Sequence, residues 1–122
     1  MGLRDLFRRM PTARTEPRVE FLGEQDGLPE RELKTALAAD FAAVGDVGRG
    51  YLAQVGYQPT ARPAVALCLR LAAGDPSIVA ERVGRLFAAR FARGVPLDIV
   101  FLSAEQEADL ARVCAPFYPP AV

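Results

Sequence analysis

Residues 64–71 read AVALCLRL, and this stretch decides the fold because its side chains alternate in size and polarity. In an extended chain, every second side chain points to the same face. One face of this stretch would carry the larger aliphatic residues Val65, Leu67, Leu69 and Leu71. The opposite face would carry Ala64, Ala66, Cys68 and Arg70. A period of two therefore predicts a β-strand at the centre of the domain.

The residues before this strand predict two more strands with a helix between them. RVEFL (18–22) and YLAQV (51–55) are both typical of short strands. Pro29 suits the first position of a helix, and an apolar stripe at helical spacing follows it, formed by Leu33, Leu37, Phe41 and Val44. The glycines at 45, 48 and 50 resemble a phosphate loop, but a helix precedes them and a strand follows, so they predict a turn.

The residues after the strand predict a second helix, a fourth strand and a third helix. Asp75 as N-cap and Pro76 begin the second helix, and Gly94 ends it. Its apolar residues are Val79, Val83, Leu86, Phe87 and Phe91. LDIVFL (97–102) predicts the fourth strand. Ser103 and Gln106 have the pattern of a capping box for a final helix that runs to about Cys114.

The order β-α-β-β-α-β-α predicts a fold of class α+β, of ferredoxin-like type with an additional C-terminal helix. We expect a four-stranded antiparallel sheet with both main helices on one face. Residues 18–122 would form this single domain, and residues 1–17 an N-terminal arm and linker. The arm has a short amphipathic stripe of Leu3, Leu6, Phe7 and Met10. The arm and the final helix remain to cover the second face of the sheet.

Composition excludes several classes of function. Fifteen basic and fifteen acidic residues balance, so the chain lacks the positive field of nucleic-acid binders, and AVALCLRL offers no aromatic platform for RNA. No apolar run is long enough for a transmembrane segment or a signal peptide, which predicts a cytoplasmic protein. Only weak contact of the basic arm with a membrane surface stays open.

Candidate catalytic groups are few, so we expect neither enzyme activity nor a cofactor. The sequence has no histidine, and its two cysteines are too few for a structural zinc site. Cys68 lies in the middle of a strand, where a cysteine is typically a small buried apolar residue. Glu105, Glu107 and Asp109 fall on the final helix, where Glu105 and Asp109 share a face and Glu107 points elsewhere, and we interpret these carboxylates as solvated rather than catalytic. An enzyme would need a cleft that the spacing does not reveal.

Four sequence segments resemble the C-terminal domain of the SseB family, the bacterial enhanced serine sensitivity proteins. They are Tyr51-Leu52-Ala53, LCLRL (67–71), LDIVFL (97–102) and Pro116-Phe117-Tyr118, and the similarity covers roughly Val19 to Tyr118. The resemblance implies a link to serine tolerance and supplies no catalytic residues. The arm stands where longer members of the family have an N-terminal domain.

Two hypotheses of function follow. The first is a non-enzymatic interaction or regulatory module that binds a protein partner or a second copy of itself. Its candidate surfaces are an edge strand that contains Arg49 and Tyr51 and a tail that exposes Phe117 and Tyr118. The alternative is a small-ligand sensor for an amino acid such as serine, with Asp26 placed after the first strand to receive an ammonium group.

Overall fold

The computed structural model describes residues 19–57, 63–90 and 97–120. Within these ranges the chain forms β1 (Val19–Glu24), α1 (Leu28–Val44), β2 (Val47–Tyr57), β3 (Pro63–Leu71), α2 (Pro76–Arg90), β4 (Asp98–Phe101) and α3 (Ala104–Ala111). The α+β class and the predicted order of the elements are confirmed. The N-terminal arm and the predicted end of α2, with Phe91 and Gly94, lie outside the described residues.

The four strands lie in the spatial order β1-β2-β3-β4. β2 is antiparallel to both β1 and β3, whereas β3 and β4 are parallel. The sheet is therefore mixed, and the prediction of an antiparallel sheet is wrong at β3 and β4. The reason is that α2 connects these two strands, and a helical crossover is the usual connection between parallel strands. The element order agrees with a ferredoxin-like fold in general terms, but this spatial order does not confirm that topology.

β1 and β2 are antiparallel although α1 connects them. β1 pairs only with the second half of β2, from Val19 opposite Tyr57 to Glu24 opposite Ala53. α1 leads the chain to the end of β2 that lies beyond β1. The chain reverses direction once, at Gly45, and β2 then begins at Val47. Gly45 has a φ of 85°, a left-handed conformation that favours glycine, and its N–H donates to the Phe41 carbonyl at 2.8 Å. The first half of β2 consequently extends beyond β1.

The face of the sheet under α1 and α2 forms the larger core. Sheet residues Leu52, Leu67, Leu69 and Ile99 pack there against Leu33, Leu37 and Phe41 of α1 and Val79 and Val83 of α2. Leu67 and Leu69 thus lie on the face that the alternation of β3 predicts. Val44 does not join this core, and the prediction of its burial is wrong, because the residue is 51% exposed at the last turn of α1.

α3 packs on the opposite face of the sheet, as predicted for the C-terminal helix. The core on this side contains Tyr51, Ala53, Val55, Ala66, Cys68, Val100 and Leu102, together with Leu110 and Cys114. The predicted capping box is present: the Ser103 hydroxyl accepts from the Gln106 N–H at 3.1 Å, and Gln106 Oε1 accepts from the Ser103 N–H at 2.9 Å. None of the described helices has the length and apolar composition needed to cross a bilayer.

Arg82 connects α2 to α1 and to the turn before β2. Its Nε donates to Asp40 Oδ2 at 2.8 Å, and its two terminal nitrogens bind both oxygens of Asp46 at 2.9 Å. The backbone carbonyl of Asp46 also accepts from the N–H of Ala72 at 2.8 Å. Such a bidentate, largely buried pair is among the stronger polar interactions in proteins. The cluster thus joins α1, α2, the α1–β2 turn and the β3–α2 connection at one end of the domain.

This cluster predicts a specific response to acid. The hydrogen bonds from Arg82 lower the pKa of Asp46 below its ordinary value of 3.8. The stability that Asp46 contributes is therefore complete above the ordinary pKa and is lost as the pH falls through the lower pKa of the folded state. We expect Asp46→Asn to lose about 1 to 3 kcal/mol at pH 7.

The measurement is urea denaturation of the two proteins at several pH values between 7 and 2. The stability difference between them should shrink as the pH falls, since the wild-type carboxylate becomes protonated while the amide of the variant does not titrate. A difference that stays constant over this range would contradict the assignment. Asp75→Asn is a control, because the pKa of this carboxyl is also lowered but its partner is only the neighbouring Ser77.

Candidate functional site

Glu107, in the first turn of α3, points towards the sheet and is the only buried charged residue in the described part of the chain. Its side chain is 10% exposed. Oε1 accepts from Arg49 Nη2 at 3.2 Å and lies 3.0 Å from Arg70 Nε. Oε2 accepts from Arg49 Nε and from the Tyr51 hydroxyl, the latter at 2.7 Å. A carboxylate offers about four acceptor positions, and this one meets four donors.

A β-bulge brings the two arginines together. Val47 pairs with Leu71 and Arg49 with Arg70, which leaves Gly48 as an extra residue in β2. Without the extra residue, Arg49 would share a face with Val47, under the helices α1 and α2. The bulge instead turns Arg49 to the α3 face, directly opposite Arg70. A Cβ atom at residue 48 would lie only 3.3 Å from the Arg70 carbonyl oxygen, so glycine suits this close approach.

The cluster carries a net charge of about +1. Hydrogen bonding from Arg49 lowers the pKa of Glu107, although burial acts in the opposite direction, and the carboxyl is ionised at neutral pH. Burial, and next the hydrogen bond to Glu107, raises the pKa of Tyr51 to about 12, so the phenol stays protonated and acts as a donor. Two guanidinium groups thus face one carboxylate.

The first role of this arrangement is to attach α3 to the sheet. Glu107 belongs to α3, whereas its three partners belong to β2 and β3. Arg70 Nη1 also approaches the Leu102 carbonyl, at 3.4 Å, just before α3 begins. The arginines nevertheless remain open to solvent, since the side chain of Arg49 is 52% exposed and that of Arg70 is 35% exposed.

The tail pairs with β2 immediately beside this cluster. The N–H of Gly50 donates to the Tyr118 carbonyl at 2.9 Å, and the N–H of Phe117 donates to the Gly50 carbonyl at 2.8 Å. Both tail rings pack on Phe41, with centroid distances of 6.3 Å to Phe117 and 5.5 Å to Tyr118. A Cβ atom at position 50 would lie 3.3 Å from the rings of Phe41 and Phe117. Glycine lets the tail lie against the strand.

The four predicted partner-binding residues meet around Gly50 but lie on the two faces of the sheet, and Tyr51 is buried rather than open to a partner. Arg49 and Tyr51 flank Gly50 on the α3 face of β2, and Phe117 and Tyr118 bind Gly50 from its open edge and pack towards α1. The prediction that β2 is an edge strand is wrong for its second half, which β1 and β3 flank, whereas the first half extends beyond β1 and pairs with the tail at Gly50. Both tail aromatics are half-buried rather than exposed.

Asp26 lies between β1 and α1, apart from the strand residues above, and is already paired. Its carboxylate accepts from Arg31 Nη2 and from Lys34 Nζ, both at 3.1 Å. These two hydrogen bonds lower the pKa of Asp26, with the Arg31 contribution the larger. An ammonium group that binds Asp26 would have to displace one of these cations. The role of Asp26 in ligand binding stays a prediction.

Both cysteines are buried and free. Burial raises the pKa of the Cys68 thiol far above its ordinary value and that of Cys114 to about 11, so neither forms a thiolate at neutral pH. Cys68 is thus the small buried residue that its position in β3 predicts. The described residues contain no group of three or more acidic, cysteine or histidine side chains that fits a metal ion.

Sequence reasoning missed the centre of the cluster. It placed Glu105 and Asp109 on one face and Glu107 elsewhere but interpreted these carboxylates as solvated, which is wrong for Glu107. The usable signal is helical spacing: Leu110 and Cys114 follow Glu107 by three and seven positions, and both are buried on the sheet. A charged residue on that stripe needs partners from the sheet, and Arg70 on the alanine face of β3 is one of them.

No protein-family model, no curated protein and no solved structure matches this chain. The resemblance to the SseB family therefore rests on the four short sequence segments alone.

Proposed function

We propose that this chain is a non-enzymatic interaction module and that its contact surface is the strip of β2 around Gly50. We call this surface the Gly50 strip and define it as Arg49, Gly50, Phe117 and Tyr118. The observation that carries the proposal is the convergence at Gly50 of residues from two distant segments, a strand that carries Arg49 and an aromatic tail. Aromatic residues and arginine are the side chains most enriched in the centres of protein interfaces.

The state of the reactive side chains supports a binding role over catalysis. Glu107, Asp46 and Asp26 each bind arginine or lysine of the same chain, and both thiols are protonated. Arg49 and the tail aromatics, by contrast, keep part of their surface open to a partner. In the same proposal the module works in the cytoplasm, where its two thiols remain reduced.

The test is site-specific photo-cross-linking in the native host. A photoreactive phenylalanine analogue replaces Tyr118 in one variant of the full chain and the exposed Ala88 of α2 in a control variant. We expect a cross-linked species of defined mass from position 118 and none from position 88. Mass spectrometry of that species distinguishes a second copy of the chain from a different protein.

Two results would refute the proposal. One is the absence of any cross-link at position 118 in cells that express the folded variant. The other is an equal yield at position 88, which would mean that contacts are unspecific. A competition experiment completes the design, with an excess of wild-type chain that lacks the photoreactive residue. The Gly50 strip of this competitor should bind the partner, so the cross-link of a specific complex should be lost.

The alternative function, an amino-acid sensor of ferredoxin-like type with serine as the trial ligand, has less support. It requires Asp26, and Arg31 and Lys34 both bind that carboxylate. The element order supports a ferredoxin-like relation, and the spatial strand order does not. Calorimetry with serine tests the sensor directly, and the absence of heat at millimolar serine would exclude it. We also propose that the chain is related to the SseB family, whichever of the two functions it has.

A further inference from the structure

We infer that Arg49 and Arg70 together form a binding site for one carboxylate group. The inference deepens the proposed function and rests on it, because Arg49 belongs to the Gly50 strip and the carboxylate would belong to what binds there. The inference adds the chemical class of the ligand, which the convergence of residues at Gly50 does not specify.

The two guanidinium groups are held side by side. Arg49 Nη2 and Arg70 Nε both lie within 3.2 Å of the same atom, Oε1 of Glu107. A guanidinium group has five N–H donors, and the contacts in the described part of the chain use only some of them. Arg49 donates from Nε and Nη2, and Arg70 is held through Nε and Nη1. Donors therefore remain on the terminal nitrogens of both solvent-open side chains.

The bulge at Gly48 is a second, independent observation. Like charges directly opposite each other in a sheet are unfavourable, and the bulge creates this opposition by turning Arg49 towards Arg70. Attachment of α3 needs one cation for one carboxylate. The second arginine leaves the cluster with an unbalanced positive charge at the surface. Bulges are common beside functional sites, where they redirect a side chain.

The charge of the cluster selects the ligand. A bound carboxylate, with one negative charge, would neutralise the net charge of about +1, whereas a phosphate near −2 would leave an excess negative charge beside Glu107. The planar fork of a guanidinium group also matches the two oxygens of a carboxylate. Glu107 then acts as a positioning residue. It holds the guanidinium groups of Arg49 and Arg70 in place and competes with the ligand for binding to them.

The experiment is an NMR titration of the full chain, with backbone amide and arginine Nε–H signals as the readout. The probes are sodium acetate, a capped Gly-Glu-Gly peptide and sodium phosphate, each at the same ionic strength. We expect saturable shifts at Arg49, Arg70 and Glu107 with the carboxylates and at least tenfold weaker binding of phosphate. Tighter binding of acetate would support a free carboxylic acid as the ligand, and tighter binding of the peptide an acidic side chain of a protein partner.

Three variants make the assignment specific. Arg49→Gln should weaken acetate binding at least tenfold, and Arg49→Lys, which keeps the charge but not the fork, should weaken it less. Glu107→Gln should bind acetate more tightly, because the competing internal carboxylate is gone, even though the domain becomes less stable. A merely structural role of Glu107 would not raise affinity. Arg31→Gln, in the separate Asp26 pair, should bind as the wild type does. A melting curve for each variant establishes that it is folded.

The inference is overturned if acetate and the peptide give no saturable shift, if phosphate binds as tightly as acetate, or if folded Arg49→Gln and Arg49→Lys both bind like the wild type. These outcomes are distinguishable from failure of the proposed function. A partner cross-link at position 118 without carboxylate binding would refute only the ligand chemistry. Carboxylate binding without a cross-link would refute the protein interaction and leave a small-anion site.

Discussion

Replacing Glu107 with alanine should lower the free energy of unfolding by about 2 to 4 kcal/mol. The substitution leaves Arg49 and Arg70 opposed across β2 and β3 with no carboxylate between them. It also leaves the buried Tyr51 hydroxyl without the acceptor that it has at 2.7 Å. We place the loss below that of a fully buried ion pair because water reaches the half-exposed side chain of Arg49.

Urea denaturation of matched variants measures this effect. Asp109→Ala is the control, since Asp109 is an exposed carboxylate on the same helix, and its loss should stay within about 0.5 kcal/mol. Glu107→Gln should fall between the two, because the amide keeps the shape and one acceptor oxygen but loses the charge. Equal stability of Glu107→Ala and Asp109→Ala would mean that α3 does not depend on this cluster.

Phe41→Ala should have a still larger effect, a loss of about 3 to 5 kcal/mol in the free energy of unfolding. Phe41 is wholly buried at the last turns of α1. Its ring supports Tyr118 in an edge-on arrangement and lies 3.3 Å from where a Cβ of residue 50 would be. Removing the ring opens a cavity under the tail and withdraws the surface on which both tail aromatics rest.

A double-mutant cycle with Phe117→Ala separates the contribution of the tail. Phe117 is only partly buried, so its single substitution should cost less than Phe41→Ala. The coupling between the two rings should be about 0.5 to 1.5 kcal/mol, the range of aromatic pairs. Strictly additive losses would show that the tail does not pack on Phe41 in solution.

The sequence predicts the elements of this domain well because their signals are local. The alternation in β3 identifies both faces of the sheet, and the pair Ser103 and Gln106 correctly begins α3. Pro76 likewise stands at the start of α2. Each of these signals depends on residues a few positions apart, for which backbone geometry alone determines what a side chain contacts.

The pairing of strands and the candidate site depend on distant residues, which local patterns do not encode. The parallel pairing of β3 and β4 follows from the path of the chain through α2, and the bulge at Gly48 follows from the register with β3. The predicted turn at residues 45–50 shows the difficulty, since only Gly45 has turn geometry whereas Gly48 and Gly50 lie within β2. Without the bulge, Arg49 would be assigned to the wrong face of the strand.

The pairing of Gly50 with Tyr118 also orders events during synthesis. A ribosome makes β2 long before it makes the tail, so the first half of this strand and the ring of Phe41 emerge without the residues that later cover them. An uncovered strand edge is prone to pair with other chains, and partly made domains are exposed to this hazard. Emergence of Phe117 and Tyr118 is therefore the step that covers this edge, and until then the first half of β2 is open to chaperones that bind nascent chains.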